Sequence, residues 1–371
     1  MQNITDVMLK ISLNPNKWME LMYNTFPKWG ELKITEIILP GTHNSITGHT
    51  NANLYLINNE NNNSMDDNML LTAGQCQHMP INEQLNAGVR YFDLRLHIAD
   101  NKIVFNHGDI IFDVTLQEIC THIKNFLLVN KTELIILTLS RFTFTSTVYD
   151  TSINNIVNCI TSIIGEYCVN DIDNVLNIPI KDIINSHKNI IIVYDNKTRE
   201  SNTWLSTNTL PSSKLQSFWR ATDANGKLFL AQYWTDIETC YIRPYAKIVN
   251  NNYYNSFIKA LQLHTQADTN IVVNNFVPFS KTLSDYASAN AKHIAIWLFN
   301  NNNITTNSVN VIEVDYYNLN IENVFNFLYY FILANTFKFD TSIRNDSSVT
   351  NQTVAPTIPV VKSKPNCCVI N

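Results

Sequence analysis

The 371-residue chain is poor in charge: charged residues make up 15% of it, and the formal net charge at pH 7 is −5. No basic excess is present to hold a phosphate backbone, which sets a nucleic-acid partner aside. The N-terminus lacks the apolar run of a secretory leader. The most apolar late stretch, Val324–Phe339, is shorter than a membrane span and is interrupted by Asn326 and Asn335, so it reads as a buried helix. Cys76, Cys120, Cys159, Cys168 and Cys240 are scattered without CxxC or Cys/His ligand spacing, which argues against a structural zinc site. These absences point to an intracellular, soluble chain. Two features stand out against them. Asn supplies about one residue in seven, with runs at Asn58–Asn63, Asn250–Asn252 and Asn300–Asn303, and reads as a compositional bias that fills loops. Hydrophobic residues at 45% and aromatics at 11% suffice for a sizeable core.

Strand-like and helix-like segments alternate along the chain. Strands are expected at Ile34–Leu39, Val89–His97, Ile103–Asn106 (a hairpin return), Glu133–Leu139, Asn189–Asp195, Leu228–Tyr233 and Val309–Tyr316. The run Ile190–Val193 is apolar on both faces, as in a buried parallel sheet. Helices are expected at Ile81–Ala87, closed by Gly88, and at Leu116–Leu128, Ser152–Ile164, Asn252–Leu261, Leu283–Ala291 and Ile321–Asn335. This order predicts an α/β fold, a single TIM-like (β/α) barrel, irregular or incomplete, over residues 1–339. Residues 340–371 are polar, carry Pro356, Pro359 and Pro365, and read as a flexible tail.

Barrel enzymes place reactive groups where strands end at the C-terminal face. His43 follows the first strand, Arg95 lies in the second, His107 ends the hairpin strand and Asp315 ends the last. Asp93 is two residues from Arg95 and shares its face, as Glu313 does with Asp315, so one of that acidic pair points to the mouth. Each type also has plain structural uses, as a satisfied strand-end His or a barrel ion pair. Together, two imidazoles, a guanidinium and a carboxylate are the parts that cleave a phosphodiester without metal. One His accepts the proton of the attacking hydroxyl and the other protonates the leaving oxygen. The Arg holds the phosphoryl oxygens and the Asp orients the base imidazole.

Three segments carry a resemblance: Ile37–Ser45 with Pro40-Gly41-Thr42-His43-Asn44, then Ile81–Arg95 with Phe92-Asp93-Leu94-Arg95, then Asn106-His107-Gly108. In this order they resemble the X domain of phosphatidylinositol-specific phospholipase C, and the likeness returns at Asn310–Tyr317. The resemblance implies an incomplete barrel that cleaves phosphoinositides to diacylglycerol and an inositol cyclic phosphate. It implies His43 as base, His107 as acid, Arg95 as phosphate binder and Asp315 as the aspartate that orients His43.

Calcium-dependent members use an Asn after the first His and acidic residues at both ends of the Asp-x-Arg position. Asn44 and Asp93 could serve here, but Arg95 fills the other position and Leu139-Ser140-Arg141 offers no Glu. The chain is therefore placed in the metal-independent branch, with no cofactor. Bacterial secreted members follow the first His with Asp, and Asn44 departs from them. The His-Asn and Asp-x-Arg pairing, with the region around Gln266, is similar to the trypanosomal glycosylphosphatidylinositol phospholipase C. Lys197, Arg199 and Arg243 are head-group candidates from the poorly matched middle, and the enzyme is expected to work as a monomer at a membrane surface. Cys368-Val369-Ile370-Asn371 has the C-a-a-X form, behind Cys367 and close to Lys362 and Lys364. A prenyl group on Cys368 with palmitate on Cys367 would give peripheral membrane association. Two competing readings are a glycerophosphodiester phosphodiesterase-like metal enzyme, which Arg95 disfavours, and a non-catalytic phosphoinositide-binding scaffold.

Overall fold

The computed structural model describes residues 7, 10–11, 13–49, 53–56, 74–99, 102–144, 149–194, 199–217, 258–263, 310–317, 328, 332 and 335. Among them run α1 (Trp18–Thr25), β1 (Leu39–Thr42), β2 (Leu54–Leu56), α2 (Ile81–Asn86), β3 (Tyr91–Ala99), β4 (Lys102–His107), β5 (Ile110–Phe112), α3 (Leu116–Val129), β6 (Ile135–Phe144) and α4 (Tyr149–Ile163). They are followed by α5 (Ile180–Asn185), β7 (Ile190–Tyr194), α6 (Thr203–Asn208), β8 (Leu210–Pro211), β9 (Leu215–Ser217), β10 (Ile258–Leu263) and β11 (Val311–Val314).

A parallel sheet runs in the order β8-β7-β6-β3-β1-β11-β10-β9. Its two ends are consecutive in the chain. Residues 210–211 pair with β7 and residues 215–217 pair with β10, with a 3₁₀ turn between them. One short segment thus touches both edges, yet among the described residues no ladder crosses its middle. The result is an irregular, incomplete α/β barrel, as expected from the alternation of elements. An antiparallel extension, β3-β4-β5-β2, carries the chain out to His107 and back.

Strand alternation divides the core. Phe92, Leu94 and Leu96 pack outward against Leu116, Ile119, Ile123 and Leu127 of α3 and Ile156 and Ile160 of α4. Leu116, Ile119, Cys120, Ile123, Phe126 and Leu127, spaced along one face of α3, are all buried. Thr115 starts that helix by accepting from the Glu118 amide, while Glu118 reaches back to Thr115. Tyr91, Leu39, Ile136, Ile191, Val193 and Val311 belong to a second cluster, which Trp18 and Trp29 complete. Trp18 Nε1 donates to Gly88 O at 2.9 Å, just ahead of β3, and the Glu133 carboxylate ahead of β6 accepts from Met19 and Glu20 amides. The N-terminal segment therefore closes the floor of the barrel, at the N-terminal ends of the strands. Arg90 sits there wholly buried, with Nη2 2.6 Å and Nε 2.8 Å from Glu133 Oε2 and its remaining donors on Leu85, Val89 and Asn16 carbonyls. Burial pushes the Glu133 carboxyl up and the Arg90 guanidinium down, and each partner opposes the shift of the other.

Several expectations are corrected. Ile34–Leu39 is not a strand: Ile34–Glu36 is a 3₁₀ turn, because Glu36 accepts from the Lys33 amide at 2.8 Å, and the strand starts at Leu39. Residues 258–261 of the expected helix Asn252–Leu261 lie in β10, where ladders to β9 and β11 override local spacing. Helices α1, α5 and α6 and the short strands β2, β5, β8 and β9 were not anticipated. Nor is all the Asn loop filler. Asn335 brackets the Ile38 peptide with both ends of its amide, Asn189 donates to Lys131 and Glu133 carbonyls, and Asn130 caps α3 on Phe126 O. A primary amide offers donor and acceptor together, which suits isolated buried peptide groups. Of the late helix only Leu328, Ile332 and Asn335 are described, and they are helical and buried. Leu228–Tyr233, Leu283–Ala291 and residues 340–371 lie outside the described residues. Among those described, no helix is long and apolar enough to cross a membrane.

Candidate active site

Four strands deliver the site at their C-terminal ends. His43 and Asn44 follow β1, Asp93 and Arg95 come from β3, His107 ends β4, and Asp315 follows β11. The register Thr42↔Val314 brings His43 beside Asp315, and Thr42↔Phe92 brings both beside Asp93. The acidic pair on β11 is resolved: Asp315 meets His43, while Glu313 lies deeper, beside Tyr91. His43, Asn44, Asp93, Arg95 and Asp315 are all less than a tenth exposed, and His107 is half-buried.

The hydrogen bonds fix protonation states. His43 Nδ1 lies 2.9 Å from Asp315 Oδ1, and Nε2 of the same ring faces the Arg95 guanidinium, which can only donate, so Nδ1 carries the proton. On the other side, Arg95 Nη2 at 2.8 Å and Asn44 Nδ2 at 3.1 Å both donate to Nε2. His43 is thus held as the tautomer with a lone pair on Nε2, the form a general base needs. Arg95 Nε donates to Asp93 Oδ2 at 3.0 Å, and Asp93 also accepts from the Asn44 amide. His107 Nδ1 donates to Gly74 O at 2.8 Å, and the two imidazole rings stand 6.0 Å apart, nearly perpendicular. Asn44 has φ +43, a left-handed conformation that Asn tolerates better than most residues. Its amide oxygen is buried with no hydrogen-bond partner. Burial pushes the Asp315 carboxyl well above the ordinary carboxylate range, against the opposing pull of Arg95 and a hydrogen bond from Cys76.

Residues 74–79 contribute groups the sequence did not reveal. Cys76, one of the scattered cysteines without ligand spacing, is buried against Asn44 Nδ2 and His107 Nδ1, each 3.7 Å from its sulfur. Gln77 Nε2 donates to His43 O at 3.0 Å and Val314 O at 2.9 Å, and its Oε1 accepts from the Tyr317 amide. It ties the β1 and β11 termini together. Thr47 Oγ1 accepts from the amides of both Cys76 and Gln77. No periodic pattern marks these residues, since they act through a loop. The expected residues Lys197, Gln266, Arg243, Cys367 and Cys368 lie outside the described residues. Arg199 turns inward on Thr209 and Ser206 carbonyls, capping α6, so its donors serve the backbone.

Residues 48–193 match the family model described as phosphatidylinositol-specific phospholipase C, X domain. A stretch of 57 residues is 44% identical to the variant-surface-glycoprotein phospholipase C of Trypanosoma brucei brucei, and covers 15% of this chain and 15% of that protein. Among solved structures, the chain resembles the phosphatidylinositol-specific phospholipase C of Staphylococcus aureus, with TM-score 0.59 and 17% identity over 88% of this chain and 98% of the other. The enzyme from Listeria monocytogenes gives TM-score 0.56 and 16% identity over 87% and 98%. At these identities the structures bear on the fold, and they support the irregular barrel.

Proposed function

We propose that this chain is a metal-independent phospholipase C acting on phosphatidylinositol or a glycosylphosphatidylinositol. The observation that carries the proposal is the His43 lone pair, created by Asp315 on Nδ1 and occupied at rest by Arg95 and Asn44. Substrate phosphoryl oxygens draw the guanidinium of Arg95 off Nε2 and take its donors in a charge-assisted contact. His43 then accepts the proton of the inositol 2-hydroxyl, whose oxygen attacks phosphorus. The bond from phosphorus to the glycerol oxygen breaks, and His107, protonated on both nitrogens, gives its Nε2 proton to that oxygen. The products are diacylglycerol and an inositol 1,2-cyclic phosphate. Ring centres 6.0 Å apart suit two imidazoles serving one phosphodiester from opposite sides. Asn44 offers its buried amide oxygen to a substrate hydroxyl.

Arg95 supplies the positive charge that calcium supplies in other members. Access to the bilayer is peripheral and intracellular, through lipid chains on Cys367 and Cys368. The deciding experiment measures cyclic product from phosphatidylinositol micelles, with and without excess chelator, for the native chain and for His43→Ala and His107→Ala. Full activity in chelator, with losses of about 10²–10⁴-fold in each variant, is expected. Activity restored only by calcium, a variant near native rate, or lipid binding without turnover would refute it. An unmodified C-terminal peptide from eukaryotic expression would remove the lipid anchor.

A further inference from the structure

Cys76 has no part in the reaction above, yet it lies at the centre of the site. Asp315 accepts from His43 Nδ1, and ligand atoms of His43, Cys76 and Asp315 all lie within 4.8 Å of one another. All three residues are buried. We propose that His43, Cys76 and Asp315 form a binding site for a zinc-like divalent cation, whose occupancy arrests the enzyme.

The donor set selects the metal. Imidazole, thiolate and carboxylate are the ligands zinc takes, whereas calcium and magnesium require a shell of oxygens. Ligands at zinc distances stand about 3.5 Å from one another, so the present atoms close on an ion with shifts of about 1 Å. Charge balances as well. Asp93 already neutralises Arg95 across 3.0 Å, which leaves Asp315 and the Cys76 thiolate to offset the two charges of the ion. Binding converts the thiol to a zinc-bound thiolate and releases its proton to solvent, while the neutral His43 ring gives the ion one lone pair, either on Nε2 once Arg95 and Asn44 draw back or on Nδ1 once its proton has moved to Nε2. Asn44 Nδ2, 3.7 Å from the sulfur, is placed to donate to that thiolate, and His107 Nδ1, 3.7 Å on another side, borders the remaining position. Occupancy takes Asp315 and His43 out of their base pair, so the reaction proposed above stops. That arrest rests on the proposed function, while the binding itself does not.

The test separates the two. The full chain is titrated with Co²⁺, and a thiolate-to-cobalt charge-transfer band is sought in native protein and in Cys76→Ser. Zinc affinity is measured in both by competition with a chromogenic chelator, with thermal melting to show that the variant folds. A band in the native chain that is absent from Cys76→Ser is expected. Zinc should bind the variant at least about 100-fold more weakly, since losing groups outside a ligand set already costs about 10–100-fold. A band that survives in the variant, or no band in the native chain, overturns the site. Cyclic-product release should fall with added Zn²⁺ and return with chelator. Turnover unaffected by zinc at concentrations that saturate the band overturns the arrest. A chain that binds Co²⁺ through Cys76 but never cleaves lipid would refute the proposed function and leave the site standing. Should Cys76→Ser fail to fold, Asp315→Asn takes its place, and an unchanged zinc affinity in it would refute the ligand set.

Discussion

Replacing Asp315 by Asn should separate activity from stability. The native carboxylate accepts from His43 Nδ1 at 2.9 Å and sets the proton on that nitrogen. An Asn has two ways to sit there. If its oxygen faces Nδ1, the tautomer survives but the charge that stabilises the imidazolium is gone. If its amide nitrogen faces Nδ1, the proton moves to Nε2, where it meets the two donors Arg95 Nη2 and Asn44 Nδ2. Either way the base is impaired. The expected fall in kcat/KM is about 10²–10⁴-fold, equal to about 2.7–5.4 kcal/mol in the barrier. Stability should move the other way. Burial raises the Asp315 pKa above its unfolded value, so its contribution to stability is full below the unfolded pKa and is lost as pH rises through the folded one. Above the unfolded pKa the buried carboxyl burdens the fold, whether it sheds its proton or keeps it, and the neutral amide relieves that burden. The variant should melt at or above the native temperature at neutral pH, and the difference should shrink toward acid. The assays are steady-state cyclic-product release and calorimetry across pH. Activity within about threefold of native, or a lower melting temperature at neutral pH, would refute the reasoning.

Arg95→Lys keeps a positive charge but cannot span Asp93 and His43 with a planar fork; turnover should drop about 10²–10³-fold in the micelle assay, with KM for lipid also rising. Glu133→Ala leaves the Arg90 guanidinium unpaired in the barrel floor and should cost about 3–5 kcal/mol in chemical denaturation; a cost under about 1 kcal/mol would show that the pair is not isolated from water. Gln77→Ala removes three hydrogen bonds that join the β1 and β11 termini. It should lower the melting temperature and slow turnover together, whereas a lowered melting temperature with native turnover would mean the latch does not position His43.

The legible part of the site was the part attached to strands. His43, Arg95 and Asp315 could be placed because regular strands end where barrels hold their chemistry, and β alternation then put Asp93 beside Arg95. His107 followed because a hairpin returns its end to the same mouth. Cys76 and Gln77 stayed hidden because their roles arise from a loop folding across two strand ends far away in sequence. The fold was lost where local and tertiary preferences disagree. Residues 258–261 had helical spacing, yet neighbouring strands on both sides claimed them. Ile34–Glu36 carried strand-like residues, but a side-chain cap turned them. α1 is too short to declare itself by period, and its position is set by Trp18 and the Glu133 carboxylate. The buried Asn side chains look like loop filler until the peptide groups they satisfy are known.

The floor of the barrel has a consequence for where this molecule can be divided. Residues 48–193 bear the recognisable signature, but that stretch omits β1, His43 and Asp315, as well as the N-terminal helix whose amides rest on Glu133. An expression fragment cut to the signature would expose Arg90 and Glu133 to water and lack half its reactive groups. The unit that evolution could move intact between proteins is therefore longer than the unit that sequence comparison detects. A protease nick just after Trp18 should dissolve the base on which the strands stand.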